Sequence, residues 1–410
     1  MILYIISIAY FFLIVEIVLI VKSFSYARRE RNTKRPSHCP KAAIIAPHYG
    51  WNAQIGESLR PLLNQDYAGE YVVYFVTHAV GESNKDLSYP HLLEIAEEHP
   101  GNVRVLLAPN VVDNGHSRSQ KVQNLITAIA ELPDDVDIIA FVDADVVVQE
   151  DWLTLLVQPL QDPRIGATVG ARFYQPQSFN LATLSEAIWV NFQIALQGNH
   201  PLAMVWGGSN AIRRELLDRG KVLDRWENSA IEDHNLTHAV RDLNLKVHFV
   251  PNCIAITQTT NRTWKQVFEF TNRQMIMTFR MGFRIEWGLS LIAFLPKSLI
   301  VFASILFMPF YFYHLCPLLL VPIIEIQSYR FFSLNLPHWL RIAPKMRQTI
   351  RITSFATPIS VLVVGLNALY AIFQKKIVWG GVGYEILSAT TCRVLGRVAV
   401  RNNDDEKDLN

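Results

Sequence analysis

Two carboxylates separated by one residue, Asp143 and Asp145, follow the apolar run Ile138-Ile139-Ala140-Phe141-Val142. That run reads as a buried strand, and in an extended chain residues i and i+2 project to the same side. The pair therefore presents its oxygens together at a strand's C-terminal end, where open α/β sheets place ligands. Two hard oxygen donors suit Mg2+ or Mn2+, which in turn suits a diphosphate. Alone, Asp-x-Asp is equally a solvated turn after a strand. Lys121 stands near the start of a helix predicted over Gln120–Ala130, whose Val122, Leu125, Ile126 and Ile129 recur at helical spacing. A helix N-terminus favours phosphate, so Lys121 is a candidate diphosphate contact, with an ordinary solvated lysine as the alternative.

Three further stretches carry candidate chemistry. Gly207, Gly208 and Ser209 form a small-residue loop in Trp206-Gly207-Gly208-Ser209-Asn210-Ala211, open to a close ligand approach or to plain turn chemistry. Glu232 and Asp233 precede a helix through Leu236, Ala239, Val240 and Leu243; they are either an N-cap complementing the helix dipole or a general base. His234 and His238 have the i, i+4 spacing of a metal pair, but without a third ligand they read as surface or packing histidines.

The elements that must position these residues follow from the hydropathy pattern. Half of the 410 residues are hydrophobic, concentrated at the N-terminus and after Trp287. Met1–Val21 is long enough to span a bilayer, with Glu16 its one ionisable residue. It lacks a basic n-region and a small-residue cleavage site, so it is expected to be a signal anchor. Lys22, Arg28, Arg29, Arg31, Lys34 and Arg35 follow it, which predicts that the middle of the chain is cytosolic. From Pro40, strands at Ala42–Ala46, Tyr71–Thr77, Val103–Leu107 and Ile138–Val142 alternate with helical stretches at Leu59–Leu63, His91–Glu98 and Gln120–Ala130. This alternation predicts a parallel sheet covered by helices on both faces.

Trp264–Trp287 mixes apolar and basic residues and is expected to lie against a membrane surface. The apolar stretch from Gly288 to Gln327 allows two crossings, or one crossing and an interfacial helix. Leu334–Ile352 fits an interfacial helix and Phe355–Phe373 a further span, giving three or four in all. The tail after Lys375 reads as polar, with a disordered acidic end. The net charge of +2 and the lack of a basic stripe with interleaved aromatics disfavour a nucleic-acid partner. Cys39, Cys253, Cys316 and Cys392 have no metal-ligand spacing and are expected to stay reduced. No internal repeat is visible, and the oligomeric state is not indicated.

In their order and spacing these pieces resemble membrane-bound family 2 and family 21 glycosyltransferases, in particular their ceramide glucosyltransferase-like bacterial branch. The resemblance runs from Lys41 to Tyr384. It rests on Ala43–Pro47, Ser58-Leu59-Arg60-Pro61-Leu62-Leu63-Asn64-Gln65-Asp66-Tyr67, Gln120-Lys121-Val122-Gln123-Asn124-Leu125 and Phe141–Asp145. It continues in Trp206–Arg214, Glu232-Asp233, Thr271-Asn272-Arg273-Gln274 and Val378-Trp379-Gly380-Gly381-Val382-Gly383-Tyr384. Each motif is weak; together they are specific.

The resemblance implies an α/β GT-A fold, Rossmann-like, over residues 40–285, with an N-terminal anchor over 1–21, transmembrane and interfacial helices over 288–374 and a tail over 375–410. It implies Asp143 and Asp145 on the metal and on the ribose-diphosphate side of a UDP-sugar, Lys121 with the donor, and Asp233 as base with Glu232 beside it. Arg273 matches the arginine of the family's Gln/Arg-x-x-Arg-Trp motif, but Phe270 and Gln274 stand at its first and last positions, so Gln274 is a departure within the donor site. The family's early base-contacting aspartate is missing from Val76-Thr77-His78, leaving Glu82 or Asp86 to substitute. The expected reaction is inverting transfer of a sugar, glucose first, from a UDP-sugar to a membrane lipid hydroxyl such as ceramide, diacylglycerol or a hopanoid lipid, at the cytosolic face of a bacterial inner membrane. The rivals are a processive polysaccharide synthase, for which three or four spans are few, and a non-catalytic nucleotide-binding scaffold on the membrane.

Overall fold

In the computed structural model the residues described are 2–33, 37–80, 84–198, 202–333, 336–342 and 346–398. In chain order the elements are α1 (Ile2–Arg31), β1 (Ala42–Pro47), α2 (Ala53–Leu63), β2 (Tyr71–Val80), β3 (Asn84–Lys85), α3 (Ser88–Glu98), β4 (Val103–Ala108), α4 (Gln120–Ala130), β5 (Ile138–Val142), α5 (Trp152–Val157) and β6 (Ile165–Val169). There follow β7 (Arg172–Pro176), α6 (Leu181–Asn191), α7 (Ile194–Gln197), β8 (Ser209–Arg213), α8 (Glu215–Arg219), α9 (Val222–Trp226), α10 (Asp233–Asp242), β9 (Lys246–Phe249) and β10 (Ala255–Thr259). The chain ends with α11 (Trp264–Arg280), α12 (Arg284–Phe332), α13 (His338–Ile342), α14 (Met346–Ser354), α15 (Thr357–Phe373), β11 (Lys376–Trp379), β12 (Val382–Ser388) and β13 (Thr391–Arg397).

Two compact units result. One gathers Thr33–Arg172, Ala203–Thr257 and Lys376–Asn410; the other gathers Met1–Asn32, Phe173–Leu202 and Gln258–Lys375. The first is an α/β unit around a sheet of order β3-β2-β1-β5-β8-β6-β9, with β4 also on β2. β1, β2, β4 and β5 are parallel, as the sequence predicts. β8, however, runs antiparallel to both β5 and β6, so the sheet is mixed. Every residue of β5 is buried, which is why it reads as an unbroken apolar run. Ile44, Val73, Phe75, Val142 and Trp152 lie in one core cluster.

The tail differs from its expectation. Lys376–Arg397 forms a three-stranded antiparallel sheet, β11-β12-β13, with Gly380 and Gly381 at φ 55° and 70° in its first turn. Those angles are the two left-handed positions that a two-residue hairpin turn needs. Tyr384 accepts a hydrogen bond from the Gln120 backbone N–H at 3.4 Å, and Ala389 O accepts from Ser229 Oγ and Asn235 Nδ2 at 3.2 and 3.0 Å. This sheet thus braces the starts of α4 and α10. The acidic end, Asp404 onwards, lies outside the described residues.

In the helical unit, among the described residues, two helices are long and apolar enough to cross a membrane, Ile6–Arg31 and Arg284–Ser304, or up to three if the pair Met346–Ser354 and Thr357–Phe373, bent by 62°, counts as one. The segment Arg284–Phe332 is not a straight rod. A straight helix would separate positions 297 and 325 by about 42 Å, yet Lys297 Nζ lies 2.7 Å from Glu325 Oε1. The chain therefore folds back between them, in the interval that holds Pro309, Pro317 and Pro322. Of the predicted interfacial stretch Leu334–Ile352, positions 334–335 and 343–345 lie outside the described residues, and α13 and α14 occupy the rest. Cys39, Cys253 and Cys392 are free thiols; the Cys316 side chain lies outside those described.

Candidate active site

Four segments of the α/β unit converge at the C-terminal end of β5. The β5–β8 register pairs Val142 with Ser209, which sets Gly208 beside Asp143. Ser119 caps α4 by accepting from the Val122 N–H at 3.2 Å, and this fixes Lys121 in the first turn. Glu232 and Asp233 stand at the start of α10.

Lys121 Nζ lies 2.6 Å from both Asp143 Oδ1 and Glu232 Oε1. Asp233 Oδ2 accepts from the Gly207 N–H at 2.8 Å, and its Oδ1 accepts from the His234 backbone N–H at 2.6 Å and lies 2.8 Å from His234 Nδ1. The N-cap expectation is therefore not how this carboxylate is used: neither Glu232 nor Asp233 caps the turn by accepting from an N–H two or three residues on. His234 is a packed partner of Asp233, as its spacing without a third ligand suggested.

Gly207 permits the convergence. A Cβ there would stand 3.0 Å from Glu232 Oε1 and 3.2 Å from both Asp233 Oδ2 and Lys121 Nζ. Gly208, at φ 93°, takes a left-handed backbone that favours glycine, and its Cβ would fall 3.0 Å from Asp143 Oδ2. Ser209 faces the other way: its Oγ accepts from Trp152 Nε1 and donates to Cys253 O, both at 2.9 Å, so it anchors the loop.

The charges tune one another. Burial works against the Lys121 ammonium, but the Asp143 and Glu232 carboxylates outweigh it and raise its pKa. Burial would raise Asp143, yet Lys121 and Arg172 hold it below the usual carboxylate range. Burial, with repulsion from Asp233 and Asp143, lifts Glu232 despite Lys121. Burial likewise opposes the Asp233 charge, but His234, Lys121 and the Gly207 N–H depress its pKa. The outcome is one depressed and one raised carboxyl side by side in the chain.

Arg172, at the start of β7, is the residue that sequence reasoning missed. Its Nη1 lies 2.9 Å from Asp143 Oδ2 and its Nη2 2.6 Å from Asp145 Oδ2. No motif marks it; the one signal is an arginine closing the apolar run Ile165–Val169 through Gly170-Ala171. Of the other predicted residues, Glu82 lies outside the described residues. Asp86 is buried and accepts from the Gly50 and Ser88 N–H groups and from Ser88 Oγ, so it holds the loop leaving β1. Arg273 and Gln274 belong to α11 of the helical unit, where the Arg273 guanidinium sits 5.4 Å from the Phe270 ring centroid.

For a divalent cation, Asp143 and Asp145 fit as two of the ligands. Among the described residues no group of three or more His, Cys, Asp or Glu gathers as a metal site. A two-carboxylate seat suits Mg2+ or Mn2+, which usually takes its remaining ligands from phosphate and water. A guanidinium already bridges those carboxylates, so the notch accepts positive charge.

A family profile described as "Glycosyltransferase like family 2" matches residues 40–276. The chain is 29% identical over 232 residues to an N-acetylglucosaminyltransferase of Bradyrhizobium diazoefficiens, covering 53% of this chain and 45% of that protein. It is 28% identical over 241 residues to an N-acetylglucosaminyltransferase of a Rhizobium species, covering 54% and 49%. The chain thus spans about half the length of the curated relatives it matches. Among solved structures, a mannosyltransferase from Pyrobaculum calidifontis in complex with GDP-Man and Mn2+ aligns over 88% of this chain and 99% of its own, at 16% identity and a TM-score of 0.42.

Proposed function

This chain belongs to glycosyltransferase-like family 2, and on that footing we propose that it transfers a hexosyl group from a UDP-sugar to a hydroxyl of a membrane lipid, with inversion. The observation that carries the proposal is the convergence of Lys121, Glu232 and Asp233 on Gly207, with Lys121 also 2.6 Å from Asp143 of the Asp143/Asp145 notch. Asp145 and Asp143 would hold Mg2+ or Mn2+, which would supply positive charge to neutralise a leaving diphosphate. Lys121 binds the diphosphate, and its placement in the first turn of α4 adds the helix dipole to its charge.

Asp233 accepts the proton of the acceptor alcohol. A carboxylate offers about four lone-pair sites; two at Oδ1 face His234 and one at Oδ2 faces Gly207, leaving a site at Oδ2. The Asp233 side chain is 11% exposed and that of Glu232 3%, so an incoming hydroxyl reaches Asp233 more readily. Glu232 positions Lys121. A single displacement inverts the anomeric centre and requires no enzymic nucleophile. Arg273 and Gln274 are assigned to the donor by family likeness alone, and Glu82 likewise.

The apolar helices keep the enzyme at the membrane, and the basic cluster of the sequence Arg28–Arg35 orients the α/β unit to the cytosol of a bacterial cell. The ceramide glucosyltransferase-like likeness points to glucose; the names of the relatives favour N-acetylglucosamine as a second donor. Membranes incubated with labelled UDP-glucose and UDP-N-acetylglucosamine, followed by mass analysis of extracted lipids, test both. One labelled sugar per lipid supports the proposal. A long polymer would point to a polysaccharide synthase, and no UDP release with any donor would leave a scaffold.

A further inference from the structure

Arg172 is built into the site at some conformational cost. It follows Gly170, where a Cβ would stand 1.8 Å from Cys253 O, and Ala171, held at φ 61°. A left-handed alanine is strained and persists only where its surroundings fix it. Here the Gly170 N–H donates to Ser209 O at 2.8 Å and the Ala255 N–H to Ala171 O at 3.0 Å. The aliphatic stem then runs over Gly208, where a Cβ would stand 2.8 Å from Arg172 Cδ. Thr257 Oγ1 accepts from Nε at 3.1 Å and from Nη2 at 2.8 Å. These contacts together aim the guanidinium between Asp143 Oδ2 and Asp145 Oδ2.

Asp143 and Asp145 are the residues that the proposed function assigns to a divalent cation, and a guanidinium held against both of their Oδ2 atoms repels a second cation at that place. Building on that function, we propose that Arg172 is a placeholder cation: it holds the Asp143/Asp145 notch in shape before the metal arrives, and the metal displaces it. The tether to Thr257 and the stem over Gly208 keep the displaced guanidinium near the notch, where its planar fork meets the donor diphosphate. Competition and assistance are then two states of one side chain. Metal alone binds weakly because it must evict Arg172; metal with a diphosphate binds well because the evicted arginine gains a partner. By linkage, each ligand raises the affinity of the other.

The test uses the full chain in detergent micelles. Free Mn2+ is titrated by its electron paramagnetic resonance signal without nucleotide, and UDP and uridine affinities are measured at saturating Mn2+. Arg172→Gln is expected to bind Mn2+ alone roughly tenfold tighter than wild type. It is expected to bind UDP roughly tenfold more weakly, with uridine unchanged. Arg172→Lys, whose single ammonium cannot bridge both carboxylates, gives the same pattern at smaller size and serves if the glutamine variant does not fold. Asp145→Ala loses Mn2+ binding. Unchanged or weaker Mn2+ affinity in Arg172→Gln, with Asp145→Ala still losing the metal, overturns the placeholder alone. Mn2+ binding that persists in Asp145→Ala overturns it together with the metal assignment.

Discussion

Among the described residues, a cluster of buried charge stands in each unit, and the two are built differently. In the helical unit Lys297 lies 2.6 Å from Glu16 and 2.7 Å from Glu325, and Lys297 and Glu325 are 1% and 0% exposed. It joins α1 to both arms of the folded-back α12. Glu16 Oε1 and Glu325 Oε2 have no hydrogen-bond partner among the described residues, and Gly365 makes room for Ser298 and the Phe294 carbonyl rather than for the charged groups. In the α/β unit, Lys121 and Arg172 are likewise held by carboxylates, but Asp145 is half exposed and two glycines clear the approach. The first cluster is closed and pins helices. The second is open on one side, with opposite charges that a metal and a diphosphate would exchange for their own.

In the open cluster the largest expected effect is at Asp233. Asp233→Asn keeps size and most hydrogen bonding but removes the proton acceptor. Sugar transfer is expected to fall by roughly 10^2–10^4, while UDP affinity with Mn2+ stays near wild type. Near-normal transfer would make Asp233 a structural residue like those of the closed cluster, with Glu232 the next base to test.

In the closed cluster the expected effect is on stability. Lys297→Met leaves two buried carboxylates facing each other, and breaking a buried pair from one side costs about 3–5 kcal/mol. The triple change Glu16→Gln, Lys297→Met and Glu325→Gln removes the charges together and is expected to restore most of that loss. Thermal unfolding in detergent checks both. A harmless Lys297→Met would show that this triad pins nothing.

Gly207→Ala is a smaller disturbance. Its Cβ contacts at 3.0 to 3.2 Å are all with the ends of charged side chains, which must shift by tenths of an ångström. A loss of roughly tenfold in transfer is expected, since catalysis is sensitive to misplacement on this scale. Full activity in the alanine variant would mean that the convergence on Gly207 is looser in solution than its distances.

Much of this architecture is legible in the residues, and the exceptions have physical causes. The buried run of β5, the capped and amphipathic α4 and the pair Glu232-Asp233 announce themselves because local pattern and tertiary role coincide. Arg172 does not, because a single arginine after a strand carries no periodicity and its partners lie at positions 143, 145 and 257. The β11–β13 sheet was legible in principle: Gly380-Gly381 separates Ile377-Val378-Trp379 from Val382–Ile386, the pattern of a hairpin. Charged residues within the strands, Glu385, Arg393 and Arg397, make the tail read as polar when taken by composition alone. The fold-back of α12 escapes the sequence because hydropathy counts apolar length and is blind to direction, whereas the reversal is shown by one ion pair between positions far apart in the chain.

The smallest expected effect concerns Glu232, and it is a slope. Burial and two like-charged neighbours raise its folded pKa above the ordinary glutamate range. A carboxyl raised on folding adds stability that is fully present below its unfolded pKa and is lost as pH rises through the folded value. Asp143 and Asp233 have the opposite sign: their lowered values add stability above the ordinary aspartate range and lose it as pH falls. Lys121, raised, loses its contribution only at strongly alkaline pH. Glu232→Gln removes the one carboxyl of this cluster whose contribution declines upward from about pH 4.3. The melting temperature of the variant relative to wild type is therefore expected to rise as pH is taken from below 4.5 towards 8. Melting curves of both proteins across that range decide it. A relative stability that is flat or falls with pH would mean that Glu232 is ionised throughout, paired with Lys121 as tightly as Asp143 is.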